Sequence, residues 1–160
     1  MKRPRALSLF DWGPGMNYNK FTKNELIAML AEREKRNAGN GPAAIYEAIK
    51  HYGLQKQEHF IVVMLDGAHN IIKHVVVTVG LVNRTLVHPR EVFAPALIER
   101  ATAIVIAHNH PSGNLDPSPD DIEVTTRLKR AGQLLGVEVL DHIIFSASDY
   151  RSMQETGEFI

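Results

Sequence analysis

"TAIVIAHNH", residues 102–110, is a short β-branched run, apolar on both faces, that leads directly into two histidines. Such a run reads as a buried strand. Working outward from it, "HFIVVMLD" (59–66) and "IIKHVVVTVG" (71–80) are two more β-rich runs. The short polar turn between them contains Asp66-Gly67 and Asn70, so they read as a hairpin. "VNRTLVHPREVF" (82–93) is a connector that turns into a helix, with Pro95 placing the main helical part in "PALIERA". Downstream, residues 119–135 form a helix whose predicted inward stripe is Ile122, Leu128, Ala131, Leu134 and Leu135, closed by Gly136. "VEVLDHIIFS" (137–146) is a further strand region, followed by a polar tail.

Helices alternating with buried strands imply an α/β domain in which a sheet is covered by helices. Ahead of it, residues 1–21 show no periodicity and contain Pro4, Gly13, Pro14 and Gly15, so they read as an extended arm carrying Phe10 and Trp12. Thr22 to Glu25 spells a capping-box helix start, with Leu26, Ile27, Met29 and Leu30 as a short apolar face. "RNAGNG" (36–41) breaks that helix, and Pro42 opens another over 42–52. The expected division is therefore an arm with a short helix over 1–41 and a domain over 42–160.

The chain has 160 residues, enough for one domain with a substantial core. Its 18 basic and 18 acidic residues give zero formal net charge, which offers no electrostatic footprint for nucleic acid or membrane. No segment approaches the roughly 20 apolar residues of a membrane span. The start of the chain has no apolar core of secretory type, so a cytoplasmic protein is expected. No cysteine is present, so a metal site must use His, Asp or Glu.

"AHNHPSGNLDPSPDDI" (107–122) carries such a set. In an extended segment, residues i and i+2 share a side, so His108 and His110 can aim two imidazoles at one point while Asn109 faces away. Pro111 and Gly113 bend the chain, and Asp121 follows in the first turn of the next helix. Two imidazoles and one carboxylate, leaving a position for water, is the pattern of a catalytic zinc site. Ser118-Pro119-Asp120-Asp121 is also a good helix cap, and the two readings are compatible, because a cap would hold Asp121 rigidly. The candidates for a general base are Glu58, just before the first buried run, and Glu91, at the connector helix; spacing alone leaves both open. Asp141 and His142 read either as partners that support the ligands from behind or as ordinary strand-end residues, the ordinary reading being preferred.

His108-Asn109-His110-Pro111, then Ser118, then Asp121, matches H-x-H-P-x(6)-[P]-S-x-x-D, and the chain thereby resembles the MPN/JAMM metalloprotease superfamily. "PSG" after the second histidine, with "VNRTLVHPREVF", "AGQLLGVEVLDHIIFS" and "YRSMQETG", is similar to its bacterial RadC branch, over roughly residues 58–157. The resemblance implies an MPN fold, a mixed β-sheet sandwiched by helices in a three-layer, cytidine-deaminase-like arrangement. It implies one Zn2+ per chain on His108, His110 and Asp121, with Ser118 stabilising an oxyanion. "QEHFIVVMLD" matches the context of the catalytic glutamate and singles out Glu58. The implied activity is hydrolysis of peptide or isopeptide bonds, with a protein or peptide as substrate. The alternative is an MPN module whose activity is unused and which binds a protein or DNA partner in a repair or mobile-element setting. DNA is not supported by the net charge, and no membrane partner is expected.

Overall fold

The computed structural model describes residues 22–27, 41–80, 82 and 87–159. The chain divides into two units, 1–35 and 36–160. In the first, Glu25 Oε2 accepts from the Thr22 N–H and hydroxyl while the Glu25 N–H donates to Thr22 Oγ1, the reciprocal capping box expected there. The expected arm with Phe10 and Trp12, most of the first helix and its break at 36–40 lie outside the described residues.

The second unit runs α1 (Pro42–Ile49), a 3-10 turn (Lys50–Leu54), β1 (His59–Leu65), β2 (Ile71–Val79), α2 (Pro89–Ile98), β3 (Ala103–Asn109), α3 (Pro119–Leu135), β4 (Glu138–Phe145) and β5 (Tyr150–Ser152). The five strands form one mixed sheet in the order β2-β1-β3-β4-β5. The expected hairpin is β1 and β2, paired antiparallel. β1 also pairs antiparallel with β3, and β3 pairs parallel with β4 through the α3 crossover, the long connection that a parallel pair requires.

Strand alternation sorts the core into two layers. Phe60, Val62, Met64, Ile104 and Ile106 face one side with Val92 and Phe93 of α2 and Val124 and Leu128 of α3. Ile61, Val63, Leu65, Val105 and Ala107 face the other side with Ile45, Tyr46 and Ile49 of α1. β1 and β3 are thus apolar on both faces because helices cover both. The period of two then sends His108 to the α3 side and Asn109 to the other.

Two helices differ from expectation. α2 begins at Pro89, capped by His88 Nδ1 accepting from the Arg90 N–H at 3.3 Å, and Pro95 lies inside it. The proline removes one backbone donor without ending the helix. α3 buries Asp121, Val124, Thr125, Leu128 and Gly132, whereas Ile122, Leu134 and Leu135 are exposed, Leu134 at 90%. The apolar pattern gives the wrong phase because polar Asp121 and Thr125 and a glycine occupy the inward face. An alanine Cβ at Gly132 would sit inside van der Waals contact of the Val137 carbonyl and 3.2 Å from Phe93 and Val139. No helix among the described residues is long and apolar enough to cross a membrane.

Candidate metal centre

His108 is the next-to-last residue of β3, and its register partners are Phe60 on β1 and Ile144 on β4. Past Asn109 the chain leaves the sheet. The His110 N–H donates to Phe145 O at 2.8 Å, and the Gly113 N–H returns to His110 O at 3.0 Å, with Gly113 in the left-handed region at φ 81°. That turn carries the chain to Ser118, which caps α3. The Ser118 hydroxyl accepts from the Asp121 N–H at 3.2 Å, and Asp121 Oδ2 accepts from the Ser118 N–H at 2.7 Å and the Ser118 hydroxyl at 2.6 Å. The cap holds Oδ2 of Asp121, which also stands 3.8 Å from His110 Nε2, and leaves Oδ1 outside the cap, beside His108.

The structure brings His108, His110 and Asp121 together, each with one ligand atom within 4.8 Å of the others'. His108 Nε2 lies 2.8 Å from His110 Nε2 and 3.1 Å from Asp121 Oδ1. Ligand atoms on a tetrahedral zinc with bonds of about 2.0–2.1 Å stand roughly 3.3 Å apart, so the spacing suits such an ion. His108 and Asp121 are buried and His110 is nearly so. Burial by itself raises the Asp121 carboxyl, but hydrogen bonding and charge from His108, with the Ser118 contacts, outweigh it and hold the group well below the usual carboxylate range.

Proton positions follow from the partners. Asn114 O can only accept, so His110 Nδ1 donates to it at 2.6 Å, which in the neutral ring leaves Nε2 as the lone-pair nitrogen. Behind His108 runs a relay. The Thr125 hydroxyl donates to Asp121 O at 2.6 Å and so accepts from His142 Nδ1 at 2.5 Å. His142 is fully buried, and burial, followed by the neighbouring His108, pushes its pKa well down, so it stays neutral. Its Nε2 is then an acceptor, which makes His108 Nδ1, at 2.8 Å, the donor. Without a cation, a proton on His108 Nε2 can instead make the hydrogen bond to Asp121; in the tautomer with that proton on Nδ1, two imidazole lone pairs and a carboxylate converge, an arrangement that a cation stabilises. Thr125 is the residue that sequence reasoning missed, and His142, whose supporting role was ranked below an ordinary strand-end one, backs the candidate ligand His108 in the way outer partners of metal-bound histidines do. Asp141, its neighbour, faces elsewhere; it accepts from the Ser152 hydroxyl and the Gln154 N–H and ties β4 to the terminal turn.

The two base candidates separate. Glu91 is exposed and pairs with Arg90 at 3.1 Å. Glu58 lines a cavity of about 480 Å³ together with His110, Ser118 and Asp121. Its Oε2 accepts from the Val82 N–H at 2.8 Å, and among the described residues Oε1 has no hydrogen-bond partner. Ser118 lines the same cavity, but its one hydroxyl hydrogen is given to Asp121 Oδ2.

These features accompany a clear kinship. The family described as "RadC-like JAB domain" matches residues 40–158. A UPF0758 protein of Pelobacter propionicus is 48% identical over 109 residues, which is 67% of this chain and 48% of that one. A UPF0758 protein of Methanospirillum hungatei is 50% identical over 103 residues, 64% of this chain and 46% of its own. One from Methanococcoides burtonii is 41% identical over 135 residues, 84% and 58% of the two chains. The chain spans about half the length of most of these curated relatives. With 119 consecutive residues matched, 40 to 158, and the His-His-Asp cluster among them, the chain belongs to the RadC-like JAB domain family.

Proposed function

We propose that this chain is a zinc-dependent hydrolase of peptide or isopeptide bonds, with the domain over 42–160 carrying the site and the cytoplasm as its compartment. The observation that carries the reading is the convergence of His108, His110 and Asp121, with one ligand atom of each within 4.8 Å of the others' and their outer atoms tied to His142, Asn114 and Ser118. These three residues would hold the ion. When bound, zinc supplies Lewis acidity toward a carbonyl and brings the pKa of water to about 7.

Glu58, with Oε2 on the Val82 N–H, has Oε1 to take a proton from the attacking water and pass it to the leaving amine. Ser118 stabilises the oxyanion only if its hydroxyl hydrogen turns away from the Asp121 cap, a contribution of roughly 3 kcal/mol for a donor of this kind. The cavity lining supports a peptide over a nucleic acid: among the described residues it holds Glu58, Asp116, Asp120 and Asp121 and no Lys or Arg, whereas phosphate contacts need cationic partners.

Elemental analysis of wild type and His108→Ala, purified in parallel, tests this reading. About one zinc per chain is expected in wild type, with none in the variant. Glu58→Gln should keep the metal and lose hydrolysis across peptide and lysine-isopeptide substrates. Absence of metal in wild type after adding zinc would overturn the assignment and leave a partner-binding module.

A further inference from the structure

Asn109 lies between the two histidines in sequence, on the opposite face of β3, and is completely buried. It is not idle there. The β1–β3 ladder ends at the Phe60–His108 pair. One step further, the Asn109 side chain takes over from the backbone: its Oδ1 accepts from the His59 N–H at 2.6 Å and its Nδ2 donates to Gln57 O at 3.1 Å. The amide orientation is forced, since Gln57 O can only accept and the His59 N–H can only donate. Asn109 thus grips the peptide groups on both sides of Glu58. Glu58 is held from the other side as well, its carbonyl accepting from the Gly80 N–H at 2.8 Å.

We infer that Asn109 is a positioning residue for Glu58: by clamping Gln57 and His59 it fixes where the Glu58 carboxylate stands relative to the His108–His110–Asp121 cluster. The inference rests on the proposed function and deepens it. One tripeptide then aims two ligands with its outer residues and sets the base with its middle one. A base misplaced by about 1 Å loses a large part of its effect, so a rigid link between the ligand strand and the base has chemical value.

The experiment uses the full chain loaded with Co2+ and labelled with 13C-glutamate, the Glu58 carboxyl resonance being identified by its loss in Glu58→Gln. In wild type, cobalt in place of zinc should shift the Glu58 carboxyl strongly. In Asn109→Ala, that shift should shrink and the line broaden while the cobalt-shifted ring protons of His108 and His110 stay in place. Metal affinity should not show the roughly 10- to 100-fold loss that follows removal of a group supporting a ligand. Hydrogen exchange at His59 should accelerate in the variant. Faster exchange with an unmoved Glu58 carboxyl would mean that Asn109 only stabilises the fold, and would overturn the inference. A wild-type Glu58 carboxyl that cobalt does not shift would overturn it too. Failure of wild type to bind cobalt or zinc would instead bring down the proposed function itself. If Asn109→Ala does not fold, Asn109→Asp is read by the same criteria, since it keeps the acceptor for the His59 N–H and makes the Gln57 contact repulsive.

Discussion

Replacing His142 with phenylalanine isolates the relay behind the metal centre. His142 lies fully buried, with its ring 5.8 Å from Phe60 in an edge-on contact that a phenyl ring can keep, so the core should tolerate the change. What disappears is the acceptor for His108 Nδ1–H at 2.8 Å. The metal-free protein can adjust: His108 can move its proton to Nε2 and donate to Asp121 Oδ1, 3.1 Å away. The metal-bound protein cannot, because Nε2 must be bare, and its Nδ1–H is then buried without a partner. An unsatisfied buried donor costs about 1–3 kcal/mol, and at 1.4 kcal/mol per decade that weakens metal binding by roughly 5- to 150-fold. Competition for zinc against a chromophoric chelator measures this directly, with urea unfolding of the apoprotein as the control. A zinc affinity within about a factor of two of wild type would refute the relay as the device that sets the His108 tautomer.

Three further outcomes are expected. Zinc at about 100 times its dissociation constant should stabilise wild type by about 2.7 kcal/mol, a melting-temperature rise of roughly 5–11 °C by calorimetry, and leave His108→Ala unmoved. Gly132→Ala, a change that gains about 1 kcal/mol in an ordinary helix, should instead destabilise by about 1–3 kcal/mol in urea unfolding, because the new Cβ meets the Val137 carbonyl. Burial raises the Asp141 carboxyl, against hydrogen bonds from Ser152, Gln154 and His142. The folded state therefore holds that proton more tightly than the unfolded one. Stability from this group is complete below its unfolded pKa of about 3.9 and is lost as pH rises through the folded value. Asp141→Asn should flatten that decline in a urea series across pH and be at least as stable as wild type at neutrality.

How far the sequence announces this site depends on how far apart the partners lie. The β1–β2 hairpin, the β3 run and the Ser118 cap are local, and periodicity and turn chemistry displayed all three. The convergence of His108 and His110 also followed from the two-residue repeat of a strand. The relay could not be settled locally, because His142 lies 17 residues from Thr125 and 34 from His108, brought together only by the parallel β3–β4 pairing and its α3 crossover. The phase of α3 was lost for a related reason: the residues that it buries nearest the site are polar. Asn109 was correctly placed on the far face, but its grip on Gln57 and His59 spans about 50 residues and depends on where the β1–β3 ladder stops. β5, with three residues, is too short to carry a pattern.

The helix cap has a consequence for which cations can compete for the centre. Asp121 Oδ2 is held by two donors from Ser118, which leaves Oδ1 as the carboxylate oxygen outside the cap. A calcium ion, which takes six to eight oxygen ligands and favours carboxylates that chelate through both oxygens, would have to pull Oδ2 off the cap at a cost of about 0.5–2 kcal/mol, and would still find two nitrogens where it wants oxygen. A small ion content with one oxygen and two imidazoles meets no such penalty. In the proposed metal site, selectivity against the abundant hard cations would thus be written partly into the first turn of α3, at a serine that need not touch the ion.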